Sequence, residues 1–390
     1  MNDRAVNVID DPQLLLQLGV SVYRQRWPWF GGDLQTLRDT LRPAAFPVDG
    51  GEPVQIPVPP LASGAADAGE LLAYLDRPLR TGEGGSATHA AIAPKALVVV
   101  LHGLGGSSRR QGLRRLTLSL QGAGFAVLRL NLRGADPGRH LAGGTYAAAC
   151  NSDLLPVLER ARHLAAALAL EAGLSQPVPL LGAGISLGGT MLLNACLEQA
   201  GALDGLFCAS SPLDLAACSA SIERPRNRVY QRWLLQRLVR QTLADPFGVS
   251  ASEERELCVN PPRSIRAFDA AVTAPRWGFS SVDDYYLSAS PLHRLAKSPQ
   301  ELPPTLLLQA LDDPWVPAAS ARHLQSSLAE RSAQELLTPL EVLLTARGGH
   351  NGFHDHGDNL SLGCWSDRLA RAWFNRNIQS AVYPSDLSVR

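Results

Sequence analysis

The sequence G-I-S-L-G at residues 184–188 could place a reactive serine at a sharp turn. A short apolar segment, residues 178–181, precedes it and an amphipathic segment follows from Met191, so the order is strand, turn, helix. Side chains two positions before and after Ser186 would collide in such a turn, which explains the glycines there. The turn would expose the serine hydroxyl and direct the free N–H groups of a helix N-terminus toward a reacting carbonyl.

The pattern G-x-S-x-G is short, and a chain with 34 glycines can contain it by chance. The alternative interpretation is a glycine-rich turn whose serine takes part in no chemistry. The strand and the helix predicted on either side favour a nucleophile. A nucleophilic serine also needs a base, an acid that orients the base, and donors that stabilise an oxyanion.

The base and the acid can come from the ends of later strands. His350 and the pair Asp312-Asp313 each follow an apolar segment that is predicted to be a strand. Because chemistry collects at the carboxyl ends of parallel strands, these side chains can meet Ser186. We expect His350 to remove the proton of the Ser186 hydroxyl while a carboxylate holds the imidazole in the productive tautomer. Asp313, directly before a proline, is the expected acid, and Asp312 is expected to brace the turn.

The oxyanion hole requires two backbone donors. The N–H of Leu187 follows the nucleophile directly, and the second donor is expected in the loop after the first core strand. That loop is H-G-L-G-G-S at residues 102–107, and Leu104 is the predicted donor. The alternative is a simple glycine turn, but the position of the loop after a buried strand favours the oxyanion role.

The elements that must position these residues alternate between strands and helices. This order predicts an α/β fold, a mostly parallel doubly wound sheet with helices on both faces and an inserted helical cap. Ser152 or Asp153 is the expected N-cap of a helix that reaches about Glu171. Strands are predicted at residues 54–58, 71–75, 96–101, 125–130, 178–181, 206–209, 303–310 and 340–344, and further helices at 14–18, 109–120, 229–243, 318–331 and 367–378.

Four regions follow from this pattern. Residues 1–50 form an arm that we expect to pack on the core, since Trp27, Trp29 and Phe30 cannot all remain solvated. Residues 51–212 form the first part of the core, and residues 296–390 form the second. Residues 213–295 break the alternation and are predicted to be a helical cap over the active site, with a lateral packing domain as the alternative.

Composition excludes several classes of partner. Lys+Arg and Asp+Glu number 36 each, and no basic stripe is visible, so nucleic acid is not an expected partner. The six cysteines are scattered without a C-x-x-C motif, which is typical of reduced thiols in the cytoplasm. The N-terminus lacks a basic signal region, and no apolar run approaches about 18 residues, so no membrane span is predicted. A peripheral membrane contact stays open.

The C-terminal histidines allow a second interpretation. His350, His354 and His356 with nearby aspartates could bind a metal, but neither H-E-x-x-H nor a cysteine ligand accompanies them. We therefore expect no metal and no cofactor. The spacing from His350 to Asp355 also spells H-x4-D, a pattern associated with acyltransferases, and at this place in a polar loop it is a weak indication.

The chain resembles the YheT-like branch of the α/β-hydrolase superfamily, which is related to abhydrolase-domain phospholipases and to yeast medium-chain ethanol acyltransferases. Asp33 stands where such relatives often carry histidine. The resemblance implies a carboxylic-ester hydrolase with Ser186, Asp313 and His350 as its triad and without a cofactor. The motifs that carry it lie at residues 32–36, 102–108, 131–134, 184–189, 228–232, 266–269, 282–286, 310–314 and 348–350.

The resulting expectation is a serine hydrolase that cleaves acyl esters through an acyl-enzyme, with a small-molecule ester or lipid as substrate. An acyltransferase with the same triad is the first alternative, because an alcohol could replace water. A non-catalytic binding protein that kept the fold is the second. Hydrolysis of amides or thioesters is a weaker idea that the same residues would support.

Overall fold

A computed structural model of the chain describes residues 7–79, 93–332, 339–359 and 363–382. In these residues eight strands form one sheet, in the spatial order first, second, fourth, third, fifth, sixth, seventh, eighth. The first strand pairs antiparallel with the second and the second with the fourth, and every later pairing is parallel. The strands are β1 (Glu52–Val58), β2 (Gly69–Asp76), β3 (Leu97–Leu101), β4 (Ala126–Leu130), β5 (Leu180–Ile185), β6 (Gly205–Ala209), β7 (Thr305–Ala310) and β8 (Leu340–Thr345).

Helices cover both faces of the sheet, which confirms the predicted α/β class. In chain order they are α1 (Pro12–Gln17), α2 (Gly32–Leu41), α3 (Gln111–Gly122), α4 (Asn151–Glu171), α5 (Leu187–Glu198), α6 (Leu215–Ile222), α7 (Arg228–Leu243), α8 (Ala251–Glu254), α9 (Ile265–Phe268), α10 (Ala274–Arg276), α11 (Val282–Ala289), α12 (Leu292–Lys297), α13 (Ala319–Ser332) and α14 (Trp365–Val382). Short 3-10 turns lie at Pro225–Asn227 and Pro299–Glu301, and π-helical turns at Arg255–Val259 and Asp269–Thr273.

The central strand β3 shows why the sheet is buried on both sides. All five of its side chains are buried, as its continuous apolar sequence predicts for a parallel strand between two helical layers. Alternate residues enter different cores. Leu97, Val99 and Leu101 join the cluster that includes α4 and α5, whereas Val98 and Val100 join the cluster that includes α3 and α14.

The strand before Ser186 differs from its prediction. The sequence predicts a strand over residues 178–181, but β5 continues through the glycine-rich residues to Ile185. Glycine is disfavoured in strands, so the pattern placed the turn too early. The extension is stable because β5 is paired on both sides, with β3 and with β6. A Cβ on Gly182 would lie 2.5 Å from the Leu203 side chain, which explains glycine within the strand.

The N-terminal arm contains the helix α2, which the sequence analysis did not predict. Of the three aromatic residues that were not all expected to remain solvated, Trp27 is 78% exposed and Phe30 is 53% exposed. Trp29 is buried at 8% exposure. Its carbonyl oxygen accepts a hydrogen bond of 2.7 Å from the Gln35 side chain on α2.

The expected N-cap of α4 is also wrong. The helix begins at Asn151, and its N-cap residue, Cys150, offers no side-chain hydrogen bond. Asp153 lies inside the first turn, where its two carboxylate oxygens accept hydrogen bonds of 2.8 and 2.7 Å from the Arg133 guanidinium. Both side chains are almost fully buried. The Asp153 carboxylate is therefore bound in a buried ion pair and does not cap the helix. The spacing of residues in the sequence does not reveal such a pair.

Helices α6 to α12 lie between β6 and β7 and carry an apolar core of their own. That core includes Leu234, Leu235 and Leu238 of α7 and Phe268 of α9. The insertion follows β6, the strand after which the predicted alternation of strands and helices ends. The exact division of the chain into four regions stays a prediction.

Among the described residues, no helix combines the length and apolar character that crossing a bilayer requires. All six cysteines lie within the described part of the chain, and each is free.

Candidate active site

Ser186 occupies a strained turn between β5 and α5. Its backbone angles are φ 55° and ψ −128°, which residues other than glycine rarely adopt. Glycine is required on both sides by space. A Cβ on Gly184 would lie 2.2 Å from Gly189 Cα, and one on Gly188 would lie 2.6 Å from the Leu101 carbonyl oxygen. The local sequence therefore folds in the way that lifts the serine side chain off the sheet edge.

The three side chains that the sequence singled out are joined by hydrogen bonds. His350 Nε2 lies 2.9 Å from Ser186 Oγ, and His350 Nδ1 lies 3.0 Å from Asp313 Oδ2. An ionised carboxylate only accepts hydrogen bonds, so Nδ1 carries the proton and Nε2 is free to accept from the serine hydroxyl. The His350 and Asp313 side chains are 5% and 0% exposed, so little water competes for these bonds.

Asp313 is fixed from its other side by backbone and amide donors. Its Oδ1 accepts hydrogen bonds from the N–H groups of Trp315 at 2.8 Å and Val316 at 3.0 Å. Its Oδ2 also accepts from the Gln309 side chain at 3.3 Å. These three donors fix the orientation of the carboxylate that faces the imidazole.

Asp312 holds a different part of the same loop. Its Oδ1 accepts a hydrogen bond of 2.9 Å from the backbone N–H of Gly349. Burial raises the pKa of Asp312 above its ordinary value, and this hydrogen bond opposes that effect. Gly349 has φ 61°, so the loop before the histidine needs a residue that tolerates left-handed backbone. Asp313 thus contacts the imidazole, and Asp312 contacts the loop backbone.

Trp315 packs against the imidazole of His350. The two ring centroids are 4.4 Å apart and the planes are inclined by 30°. The Trp315 ring thus packs on the face of the imidazole, whose two nitrogens contact Ser186 and Asp313. The sequence analysis assigned Trp315 no role, although it follows Asp313 by two residues.

The N-terminal arm also holds the histidine loop. Thr36 Oγ1 accepts a hydrogen bond of 2.8 Å from the backbone N–H of His350 and donates one of 2.7 Å to the Gly32 carbonyl oxygen. The Gln35 side chain accepts from the His354 N–H at 2.8 Å and donates to its carbonyl oxygen at 3.1 Å. These positioning residues were not predicted. The signal was present in the motif at residues 32–36, which the sequence analysis connected with a family but not with the site.

The loop of residues 102–106 faces the serine. A Cβ on Gly103 would lie 2.8 Å from Ser186 Cβ, so only glycine allows this approach. In the described part of the chain, the backbone N–H groups of Leu104 and Leu187 have no recorded acceptor. Two free N–H groups beside the nucleophile are what an oxyanion hole requires.

Two buried side chains shape this loop, and neither was predicted. His102 Nδ1 donates to the Gly103 carbonyl oxygen at 2.8 Å, and its Nε2 accepts from the Leu132 N–H at 3.3 Å. Burial lowers the pKa of His102 to about 4, so the ring is neutral at physiological pH. The Tyr146 hydroxyl accepts from the Gly105 N–H at 2.6 Å, and its ring contacts His102 edge-on.

A cavity of about 330 Å³ opens beside the serine, between the sheet edge and the inserted helices. Ser186 and His350 lie in its wall, together with cap residues. The volume is within the range of small-molecule sites, and most of the cap wall is apolar. The apolar cap residues that line it include Leu234, Leu238, Ile265 and Phe268.

The polar side chains around the C-terminal histidines contact one another. His354 lies between Asp358, at 2.9 Å, and Asp39, at 3.3 Å, and Asp355 accepts from Arg368 at 2.6 Å. Asp355 is therefore bound to an arginine, and the imidazole of His350 contacts Asp313 instead. Within the described residues, no group of three or more His, Cys, Asp or Glu side chains could hold a metal ion.

The sheet order and the strand, serine turn and helix define an α/β-hydrolase. The family model described as serine aminopeptidase, S33 (Hydrolase_4) matches residues 92–338, and the chain belongs to this family. This membership places the protein among hydrolases and agrees with the resemblance that the motifs indicated.

Curated relatives have similar sequences over part of their length. The phospholipase ABHD3 of Mus musculus is 28% identical over 294 residues, which are 72% of this chain and 66% of that protein. The putative esterase YheT of Escherichia coli is 34% identical over 184 residues, 45% of this chain and 49% of that protein. The match to these relatives thus spans two thirds of their length or less. The predicted resemblance to the YheT-like branch is confirmed.

Two further similarities complete the comparison. The medium-chain fatty acid ethyl ester synthase/esterase 2 of Saccharomyces cerevisiae is 26% identical over 308 residues, 72% of this chain and 62% of that protein. A solved esterase of Pyrococcus furiosus shares 12% of its residues with a TM-score of 0.48, over 84% of this chain and 93% of that one.

Proposed function

We propose that the protein is a serine hydrolase that cleaves carboxylic esters through Ser186, His350 and Asp313. The observation that carries the proposal is the continuous hydrogen-bonded row from Asp313 through His350 to the Ser186 hydroxyl, with contacts of 3.0 and 2.9 Å. The names of the relatives, which include a phospholipase and a putative esterase, agree with ester substrates.

The proposed reaction has two halves. In the first, His350 Nε2 takes the hydroxyl proton while Ser186 Oγ bonds to the ester carbonyl carbon. The oxygen that becomes negative is stabilised by the N–H groups of Leu104 and Leu187. The protonated imidazole then gives its proton to the departing alcohol, and an acyl-enzyme remains. In the second half, water attacks the acyl carbon and His350 takes its proton. The imidazolium then gives this proton to Ser186 Oγ as the acyl–oxygen bond breaks, and the carboxylic acid is released.

The surroundings of the row suit this chemistry. The imidazolium formed in each half lies against the buried Asp313 carboxylate, where a charge is stabilised more than it would be in water. The apolar cap wall of the cavity would receive the acyl chain. A lipid ester or a smaller acyl ester fits this description.

Acyl transfer to an alcohol is the second candidate, and the printed name of the yeast relative, an ester synthase/esterase, favours keeping it. The same residues would act, with an alcohol in place of water in the second half. Titrating an alcohol into the reaction and measuring the ratio of new ester to free acid distinguishes the two. A ratio that stays near zero at high alcohol concentration contradicts transfer.

The test of the proposed function is a chain-length series of p-nitrophenyl esters with the wild type and Ser186→Ala. We expect turnover by the wild type and a loss of at least about 10³-fold in the variant, since the members of a triad act as a unit. A fluorophosphonate probe should label Ser186 in the wild type only. Folded wild-type protein that neither turns over any ester nor reacts with the probe would instead be a binding protein.

A further inference from the structure

Two arginines from different parts of the fold meet at one carbonyl oxygen beside the active site. Arg237 on α7 donates through Nε to the Gly105 carbonyl oxygen, and Arg110, the residue before α3, approaches the same oxygen with a terminal nitrogen at 3.4 Å. The Arg237 guanidinium also lies over the Trp233 ring, 5.6 Å from its centroid. The pair therefore joins the core to the cap.

These two half-buried arginines lack the carboxylate partner that the buried arginines of the core have. Over the described ranges, neither Arg110 nor Arg237 forms an ion pair with a carboxylate. By contrast, Arg115, Arg129 and Arg133, which are more deeply buried, each contact at least one aspartate within 2.7 Å. Two adjacent cations without an anion are costly unless a ligand supplies one.

The pKa values of both guanidinium groups are lowered in this environment. Burial, and then the neighbouring Arg237, lower the pKa of Arg110 to about 10. Burial likewise lowers the pKa of Arg237. An oxyanion placed between them would offset the repulsion between the two positive charges, since a guanidinium binds phosphate or carboxylate oxygens in a fork.

The location connects the pair to the reaction. Gly105 directly follows Leu104, one of the two proposed oxyanion donors, and Arg110 lies in the wall of the cavity that contains Ser186. A ligand anion at this point is thus close enough to belong to the same molecule as the ester. The cap wall of the cavity is mainly apolar and suits the acyl chain of the substrate. We therefore assign the anionic group to the alcohol portion of the ester.

We propose that Arg110 and Arg237 form a subsite for an oxyanion group, phosphate or carboxylate, on the alcohol portion of the substrate. The inference rests on the proposed ester hydrolysis and specifies its substrate class. The competing explanation is that the two side chains only fix the Gly105 carbonyl. That explanation requires hydrogen-bond donors but no ligand, so the two make different predictions.

The kinetic test compares esters with the same hexanoyl chain. 1-Hexanoylglycerol 3-phosphate is measured against 1-hexanoylglycerol, and 4-(hexanoyloxy)benzoate against phenyl hexanoate. We expect the wild type to prefer at least one anionic member by about 10-fold or more in kcat/KM, and the preferred pair identifies phosphate or carboxylate. Equal kcat/KM values in both pairs would overturn the proposal, as would a preference for a charge on the acyl portion, measured with p-nitrophenyl glutarate against p-nitrophenyl hexanoate.

Variants assign the preference to the two arginines. Arg110→Gln and Arg237→Gln should each lower the ratio of kcat/KM values by about 10-fold. The Lys variants should lower it less, since an ammonium keeps the charge but loses the fork. Arg232→Gln, at an exposed position on the same helix α7, is the matched control and should leave the ratio unchanged. A ratio that survives in both Gln variants would leave the arginines with a structural role only.

A binding measurement separates this inference from the proposed function. Glycerol 3-phosphate and benzoate are titrated calorimetrically into full-length Ser186→Ala, with and without Arg110→Gln and Arg237→Gln combined. Saturable binding of either probe that weakens with added salt and disappears in the combined variant supports the subsite, even if no ester is hydrolysed. Absent binding of both probes, or binding that the combined variant retains, overturns the subsite while leaving ester hydrolysis untouched.

Discussion

Thr36 accepts a hydrogen bond of 2.8 Å from the backbone N–H of His350, although 314 positions separate the two residues in the chain. The bond fixes the backbone at the residue whose imidazole contacts Ser186. The hydroxyl of Thr36 is itself oriented by its bond to the Gly32 carbonyl oxygen. The arm that precedes the sheet is therefore part of the geometry of the candidate site.

The first prediction concerns this bond. Thr36→Val keeps the shape of the side chain but removes the acceptor, leaving the His350 N–H without a partner. We expect kcat for a p-nitrophenyl ester to fall by about 10-fold and the free energy of unfolding to fall by about 1–3 kcal/mol. Thr36→Ser retains the hydroxyl and should restore most of both values. Equal kcat values for the Val and Ser variants would show that the bond has no part in positioning the histidine.

The second prediction separates the two adjacent aspartates. Asp313→Asn removes the charge that faces the imidazole and favours the wrong tautomer, so kcat should fall by roughly 10³-fold or more. Asp312→Asn retains an oxygen that can accept from Gly349, and its loss should stay below about 10-fold. Steady-state kinetics on one ester with both purified variants provides the measurement. A larger loss of kcat in Asp312→Asn than in Asp313→Asn would identify Asp312 as the acid that orients the imidazole.

The third prediction concerns the buried pair of Arg133 and Asp153. Asp153→Ala would leave a fully buried guanidinium without its anion, and we expect a loss of about 3–5 kcal/mol in the free energy of unfolding. Asp283→Ala removes an exposed partner of Arg266 and should cost less than about 1 kcal/mol. Urea unfolding of both variants tests the difference. Similar midpoints for the two variants would contradict it.

The fourth prediction is a pH dependence that originates in the cap. Burial raises the pKa of Asp269 to about 6, against hydrogen bonds from Thr273 and Tyr286 that lower it. The unfolded chain ionises nearer pH 4, so between about pH 4 and 6 the native state holds a proton that the unfolded chain has lost. The contribution of Asp269 to stability therefore declines as the pH rises through this window.

Asp269→Asn removes that decline, and its amide oxygen can accept from one hydroxyl while its amide nitrogen donates to the other. The stability of the variant relative to wild type should rise between pH 4 and pH 7 by up to about 3 kcal/mol, since one pKa unit corresponds to about 1.4 kcal/mol. Urea unfolding at several pH values measures this difference. A difference that does not change with pH would show that Asp269 titrates alike in the folded and unfolded chain.

The sequence predicted those parts of the fold that depend on local patterns. The continuous apolar segment at residues 96–101 became β3, and the segment at 229–243 became α7, which begins at Arg228. The candidate residues Ser186, Asp313 and His350 were found because each lies next to such a segment. Strand ends are local features, and the topology of a parallel sheet brings them together.

The parts that were not predicted depend on contacts between distant residues. Thr36 and Tyr146 act on loops far from them in the chain, and no local pattern encodes such a partner. The position of Asp153 in the sequence is typical of a helix cap, but in the fold its carboxylate is bound to Arg133. The helix α2 was missed because its mean hydropathy is low and its sequence has few apolar positions. Tertiary packing decides these cases over local propensity.

The contribution of the arm has a practical consequence for protein engineering. A chain shortened to start at β1 would still contain every strand of the sheet. It would nevertheless lack the threonine and glutamine that brace the histidine loop. Chimeras with a foreign arm should therefore retain α2, which positions the histidine loop.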